Sequence, residues 1–299
     1  GQASQKVGMG KDLFENTKIG SEYFDLANEI MNCDIKNIIF NGPDEELKKT
    51  QFTQPAIYIV SVIIGEILLE KGLVPHAVAG HSLGEYSALT IAKSLNFKTG
   101  LELVKVRSQS MANAGKRGDG SMAAIVGLDD EIIFKICNDF EGYKKVVPAN
   151  YNSPGQVVIA GNVLAVERAI EITKSKGAKR AILLPVSVPS HCSLMQKASE
   201  ELKEYLTNIT IKKPNIPVIH NVDVLEHNDA NEIKDALSKQ LCHPVRWVDT
   251  IEKIAFNKIS DIAECGPGKV LTGLTKRISL ELKGVSLVNA SALDEFKAL

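Results

Sequence analysis

Residues 80–84, Gly-His-Ser-Leu-Gly, have the pattern of a turn that presents a nucleophilic serine. In a Gly-x-Ser-x-Gly segment the serine lies on a tight strand-to-helix turn, and the strained backbone calls for glycine two residues to either side. A short apolar run at 77–79 precedes the turn, and a helical apolar pattern at 83–94 follows it. The sequence therefore predicts Ser82 as a nucleophile at the positive end of a helix, where the Leu83 N–H would stabilise an oxyanion.

A nucleophilic serine requires a general base within hydrogen-bonding distance, and three of the six histidines are candidates: His191, His220 and His243. His191 follows a predicted strand and opens a helix, so it lies at the same kind of junction as the serine. His220 lies near another strand end, and Asp223 would be its carboxylate partner. The residues alone favour His191 only slightly over His220.

Cys192 is a competing nucleophile because it is adjacent to His191. Side chains of consecutive residues point apart on a strand or a helix, so these two are not expected to pair. A small buried core residue is the better interpretation of this cysteine.

The composition is that of an ordinary soluble globular protein. Of 299 residues, 44% are hydrophobic and 24% are charged, and the formal net charge is −1. No basic tail or acidic run is present, which argues against a nucleic-acid binder. The longest apolar stretch, 56–69, contains Ser61, Gly65 and Glu66 and is too short and too polar for a membrane span.

Two features bear on the compartment. The five cysteines are scattered singly, which favours a reducing environment. The chain opens with Gly1 and Gln2 rather than methionine, so we expect the natural N-terminus, and with it any targeting peptide, to be missing.

Alternating helical and extended patterns predict one α/β domain interrupted by a smaller one. Helices are predicted at 54–72, 83–94 and 99–114, followed by a glycine-rich linker at 115–120. Strands at 122–126, 145–149, 156–160 and 180–186, with helices at 130–140 and 162–176, give the β-α-β-β-α-β order of a ferredoxin-like domain. Helices at 193–206, 231–241, 245–256 and 269–280 follow, with strands near Val218, Ile262 and Val288. The predicted large domain is 1–116 and 190–299, and the small domain is 117–189.

Five motifs carry a family resemblance. They are Gly-Gln-Ala-Ser-Gln at 1–5, Gly-His-Ser-Leu-Gly-Glu at 80–85, Asn-Ser-Pro-Gly-Gln at 152–156, Val-Pro-Ser-His at 188–191 and Gly-Pro-Gly-Lys at 266–269. In this order they resemble the signatures of bacterial-type malonyl-CoA:acyl-carrier-protein transacylases, the malonyltransferases of type II fatty acid synthesis. The resemblance covers essentially the whole chain. It implies a hydrolase-like large domain with a parallel sheet and an inserted ferredoxin-like small domain.

The resemblance also implies a role for each motif residue. Ser82 would be the nucleophile and His191 the base, and the main-chain carbonyl of Gln240 would orient the histidine in place of a carboxylate. The main-chain N–H groups of Gln2 and Leu83 would form the oxyanion hole.

Arg107 matches the arginine that binds the free carboxylate of the malonyl group in this family. Its position in a predicted helix would by itself assign it to the solvated surface, since most arginines are exposed. A guanidinium–carboxylate pair inside an acyl pocket is a strong selectivity device. Ala3 departs from the family, which usually has glycine there.

The implied reaction is a ping-pong transfer of malonyl from malonyl-CoA to acyl carrier protein through a malonyl-serine ester, releasing coenzyme A. It requires no metal or other cofactor, no nucleic acid and no membrane, and we expect a monomer. A bacterial chain of this kind would be cytoplasmic, and one with a removed targeting peptide would belong to a plastid or another organelle. Basic pairs at 179–180 and 276–277 would steer an acidic carrier protein or simply end their elements in solvent.

Two other functions fit the serine turn. A serine esterase or thioesterase would release the acid to water, and a catalytically inactive carrier-binding protein would not be acylated at all. Arg107 argues against the esterase, because a neutral acyl pocket has no use for a guanidinium group.

Overall fold

The computed structural model describes residues 1–116, 118–140, 145–186 and 188–296, which form a mixed α/β fold. The helices are α1 Lys11–Asn16, α2 Lys18–Met31, α3 Ile35–Asn41, α4 Asp44–Leu47, α5 Thr50–Glu70, α6 Gly84–Ile91, α7 Phe97–Gly115, α8 Asp130–Asn138, α9 Val163–Ser175, α10 Gln196–Thr207, α11 Ala230–Gln240, α12 Trp247–Phe256, α13 Val270–Ile278 and α14 Ala290–Glu295. The strands are β1 Val78–Ala79, β2 Gly120–Val126, β3 Val146–Ser153, β4 Gln156–Asn162, β5 Arg180–Leu183, β6 Val218–Ile219, β7 Val245–Arg246, β8 Asp261–Cys265 and β9 Lys283–Leu287.

The long helix α5 is the centre of the largest hydrophobic cluster. Ile59, Val60 and Ile63 are fully buried in it and pack among residues of α2, α6, α7 and α10. The predicted helix, 54–72, began four residues too late. The interpretation of its apolar stretch as too short and too polar for a membrane span was wrong, because α5 is long and apolar enough to cross a membrane by length and composition. Because 78% of its most apolar 18-residue segment is buried inside the protein, α5 is a core helix.

Two short parallel strands position the serine turn. β1 pairs with β6, Val78 opposite Val218 and Ala79 opposite Ile219. In a parallel pair the carboxyl ends of both strands lie at the same edge. The residues that follow β1, including Ser82, therefore meet those that follow β6, including His220 and Asn221.

The predicted β-α-β-β-α-β order is observed as β2, α8, β3, β4, α9 and β5. Its strands form a sheet in the order β5-β2-β4-β3-β7, and its helices cover a separate buried cluster that includes Ile125, Ile133 and Ile159. Of the predicted linker, 115–120, residue 117 lies outside the described residues, as does residue 187 near the end of the predicted small domain.

The predicted helix at 245–256 was wrong at its start. Val245 and Arg246 instead form β7, which pairs in parallel with Asn150 and Tyr151 of β3, and the helix begins at Trp247. Val245 is fully buried, and a β-branched side chain suits such a position in a sheet. This strand joins the sheet from a distant part of the chain.

Candidate active site

The backbone at Ser82 has the strained conformation expected of a nucleophile turn. Its φ of 52° is in the left-handed region, and α6 begins two residues later at Gly84. A Cβ on Gly80 would lie 1.9 Å from the main-chain carbon of Gly84, so glycine is required there. The expectation for Gly84 was wrong, because a Cβ on it would meet no atom within 4 Å.

Asn221 holds this turn from the other strand. Its side-chain Oδ1 accepts a hydrogen bond from the Ser82 N–H at 2.7 Å, and its Nδ2 donates to the Gly80 carbonyl at 2.7 Å. Asn221 is fully buried. The sequence reasoning did not find this residue, although the pairing of β1 with β6 brings it to the same sheet edge.

Ser82 and His191 are in hydrogen-bond contact. The Ser82 Oγ lies 2.9 Å from His191 Nε2, and His191 Nδ1 lies 2.8 Å from the Gln240 carbonyl oxygen. Because a carbonyl oxygen only accepts, Nδ1 must carry a proton, and in the neutral ring Nε2 is then free to accept the serine proton. His191 also has a positive φ, 63°.

The imidazole of His191 is neutral at ordinary pH. It is 2% exposed, and burial, together with the nearby positive charge of Arg107, lowers its pKa to about 3. A neutral imidazole is the form that can take a proton from the serine.

Arg107 lies against the same serine oxygen. It is 1% exposed, so the prediction of a solvated residue from helical position alone was wrong. Its Nη2 donates to Ser82 Oγ at 3.0 Å and to Gln240 Oε1 at 3.0 Å, and its Nη1 donates to Gln54 Oε1. The Tyr86 ring lies beneath the guanidinium, 5.5 Å from centroid to Cζ, and burial lowers the pKa of Arg107 from its usual value.

Gln240 contacts both His191 and Arg107. Besides the main-chain carbonyl on His191, its side-chain Oε1 accepts from Arg107, and its Nε2 donates to the Ser82 carbonyl at 3.0 Å and to Glu85 at 2.7 Å. The side-chain contacts were not predicted. Gln240 is fully buried at the end of α11. The site thus combines an oriented neutral base, a serine and a buried cation, which suits acyl transfer of an anionic acyl group.

The sequence and the fold are both similar to those of known proteins. The family model described as the acyl transferase domain matches residues 1–273. The chain belongs to the acyl transferase family. It is 48% identical to the malonyl CoA-acyl carrier protein transacylase of Haemophilus influenzae, over 99% of this chain and 96% of that protein.

Solved structures of acyl transferases have the same fold. The crystal structure of an acyl carrier protein S-malonyltransferase from Vibrio cholerae is 48% identical with a TM-score of 0.95, covering 98% of this chain and 96% of that one. A malonyl-transacylase in complex with its type II polyketide synthase acyl-carrier protein is 44% identical with a TM-score of 0.95, covering 98% and 96%.

The other two candidate histidines of this acyl transferase are hydrogen-bonded to residues other than Ser82. His220 Nδ1 contacts Glu85 at 2.7 Å, and Asp223 contacts His227 instead, so the predicted His220–Asp223 pairing was wrong. His243 is bonded to the Lys239 carbonyl near the surface.

The environment of Cys192 is that of a core residue. It is 2% exposed, its Sγ donates to the Pro189 carbonyl at 3.1 Å, and burial raises its pKa to about 11. A thiol with such a pKa is a poor nucleophile at neutral pH. This agrees with its interpretation as a small buried residue.

The N-terminal segment lies beside the serine turn of the acyl transferase. A Cβ on Gly1 would lie 3.3 Å from the His81 ring, and the Gln2 side chain donates to Thr50 Oγ1 at 3.1 Å. Ala3 has a φ of 81°, a conformation that glycine adopts at lower cost, which accounts for the family preference at this position. The N–H of Leu83, at the N-terminus of α6, has no acceptor among the described residues.

Proposed function

We propose that this chain transfers the malonyl group from malonyl-CoA to the phosphopantetheine thiol of acyl carrier protein. The single observation that carries the proposal is the buried guanidinium of Arg107, 3.0 Å from the oxygen of Ser82. A malonyl ester on that oxygen ends in a carboxylate, and a buried carboxylate needs a paired cation. The names of the relatives support the same reaction.

In the first half-reaction His191 Nε2 takes the proton of Ser82, and Oγ attacks the thioester carbonyl of malonyl-CoA. The tetrahedral oxyanion is stabilised by the main-chain N–H groups of Leu83 and Gln2. Its collapse breaks the C–S bond, and the proton on His191 passes to the departing sulfur of coenzyme A. The malonyl ester remains on Ser82 with its carboxylate on Arg107.

The second half-reaction runs the same steps with a different thiol. The phosphopantetheine thiol of the carrier protein gives its proton to His191, and its sulfur attacks the ester carbonyl. The Ser82 oxygen leaves and regains the proton from the imidazole. The main-chain carbonyl of Gln240 holds the ring in one orientation through both halves, so one base serves as donor and acceptor in turn.

The proposed architecture is a hydrolase-like large domain, 1–116 and 190–299, interrupted by a ferredoxin-like small domain, 117–189. The contact of His81 with Asn152 of β3, 2.8 Å, supports an active site at the meeting of the two. A cleft there would admit the pantetheine arm and exclude water. The enzyme would act as a monomer in the bacterial cytoplasm, without nucleic acid, membrane or cofactor.

Intact-mass spectrometry after mixing with malonyl-CoA tests the proposal. The native protein should gain one malonyl group and lose it when holo carrier protein is added, and Ser82→Ala should gain none. His191→Ala should acylate far more slowly, while His220→Ala should retain the adduct. An adduct on Ser82→Ala, or a malonyl group lost to water but never to the carrier, would contradict the proposed reaction.

A further inference from the structure

Glu85 carries a fully buried carboxylate three residues after the serine, in the first turn of α6. Its Oε1 contacts His220 Nδ1 at 2.7 Å. Its Oε2 accepts from the Asn221 N–H at 3.0 Å and from Gln240 Nε2 at 2.7 Å. An acid at a helix start stabilises the helix even at the surface, so the helix alone does not require a buried one. Burying a carboxylate is costly unless its partners are fixed.

Two of the three partners of Glu85, Gln240 and Asn221, hold the catalytic groups. Gln240 contacts His191 through its main chain and Arg107 through its side chain. Asn221 holds the main chain of the turn on both sides of His81. One carboxylate therefore connects the base, the cation and the nucleophile turn without touching any of the three reacting side chains.

We propose that Glu85 is a positioning residue for acyl transfer, whose negative charge fixes the side-chain amide of Gln240 so that Arg107 stays against Ser82. This inference rests on the proposed function. The amide lies between a guanidinium and a carboxylate, with its oxygen on Arg107 and its nitrogen on Glu85. A reversed amide would turn its NH2 group to the guanidinium and its oxygen to the carboxylate, and both contacts would be repulsive.

Substitution of Glu85 by glutamine removes the negative charge of the side chain while nearly keeping its shape. The amide oxygen of the new side chain can accept from Asn221 and Gln240, as Oε2 does now. Its NH2 group then faces His220 Nδ1, which accepts once the histidine proton moves to Nε2. In that tautomer the Nε2 proton is buried without a partner among the described residues, which lowers stability, so the unfolding midpoint of the variant is measured alongside its rate ratio.

Single-turnover acylation, followed by rapid quench and intact-mass spectrometry, measures the effect with malonyl-CoA and with acetyl-CoA. We expect Glu85→Gln to slow malonyl acylation about 10-fold to 100-fold, as small displacements of reacting groups do. Acetyl acylation should fall less, because the acetyl group makes no use of Arg107, so the malonyl-to-acetyl rate ratio should drop. Glu131→Gln, which removes an exposed acid from the first turn of α8, is the matched control and should leave both rates unchanged.

Gln240→Met provides the second arm and keeps the main-chain carbonyl on His191. It should lower the malonyl-to-acetyl rate ratio. Adding Glu85→Gln to it should change the ratio little further, because both substitutions break the same chain of contacts from Glu85 through Gln240 to Arg107. A purely structural Glu85 would lower the unfolding midpoint and leave the ratio at its native value. A native ratio in folded Glu85→Gln, or in Gln240→Met should the first variant not fold, overturns the inference. The malonyl adduct on Ser82 would still stand in that case, so the proposed function is tested separately.

Discussion

Arg107→Ala is expected to convert a malonyl-selective enzyme into one with little preference between acyl groups. The guanidinium of Arg107 donates to Ser82 Oγ at 3.0 Å, and the residue is 1% exposed. Without it, the malonyl carboxylate must enter a buried pocket unpaired. A neutral acetyl group meets no such penalty.

The magnitude follows from the burial of the pair. Removing one partner of a buried charge pair costs about 3–5 kcal/mol. Because each 1.36 kcal/mol changes a rate tenfold, malonyl acylation should fall by about 100-fold to about 5,000-fold. Acetyl acylation should change by no more than about a few-fold, since its transition state contains no second charge.

Rapid-quench single-turnover experiments over a range of malonyl-CoA and acetyl-CoA concentrations give the malonyl and acetyl acylation rates of the same enzyme. Arg107→Lys is the matched control, because lysine keeps the charge but cannot form a two-pronged contact with a carboxylate. It should fall between the native enzyme and Arg107→Ala. A native malonyl-to-acetyl ratio in folded Arg107→Ala would refute the assignment of the guanidinium to the substrate carboxylate.

Two further predictions concern the base and the turn. The proposed reaction requires the neutral form of His191, and the pKa of His191 is about 3. The kcat/KM for malonyl transfer should therefore stay level from pH 8 down to about pH 5 and fall only as the pH approaches 3. A decline of kcat/KM centred near pH 6.5 would contradict this. Gly80→Ala should prevent native folding, because its Cβ would overlap the main chain of Gly84. Gly84→Ala should instead fold with near-native activity. Its free energy of unfolding should be up to about 1 kcal/mol higher, since alanine is the better helix former. Thermal unfolding and acylation rates check this pair, and equal damage from both substitutions would disprove the packing argument.

Local sequence patterns were enough to predict most of the regular elements. The apolar periodicity of α5 and the short apolar runs of β2 and β4 are properties of contiguous residues. β7 could not be predicted this way, because two residues become a strand only by pairing with Asn150 and Tyr151 of β3. The helices α1 to α4 were not predicted at all, and three of them are seven residues or shorter.

The residues of the site likewise divide into those that adjacent residues predict and those that depend on distant contacts. Ser82 was predicted as the nucleophile from five adjacent residues, because the pattern of the turn implies its strained backbone. The choice between His191 and His220 could not be made from the residues alone, since both lie near strand ends. It depends on contacts across 109 residues to Ser82 and across 135 residues to Glu85. Asn221 was missed for the same reason.

In the proposed reaction, the charge of Arg107 would link substrate choice to the strength of His191 as a base. In the free enzyme burial lowers the pKa of His191 most and the charge of Arg107 lowers it further, which keeps the imidazole neutral but makes it a weak base. In the proposed reaction the malonyl carboxylate neutralises that charge, so the part of the pKa lowering of His191 that is due to Arg107 is removed while the part due to burial remains, and the transfer of the serine proton becomes less unfavourable. An acyl group without a carboxylate leaves the guanidinium uncompensated. The same buried cation would then favour malonyl twice, once by binding its carboxylate and once by strengthening the base only when that carboxylate is present.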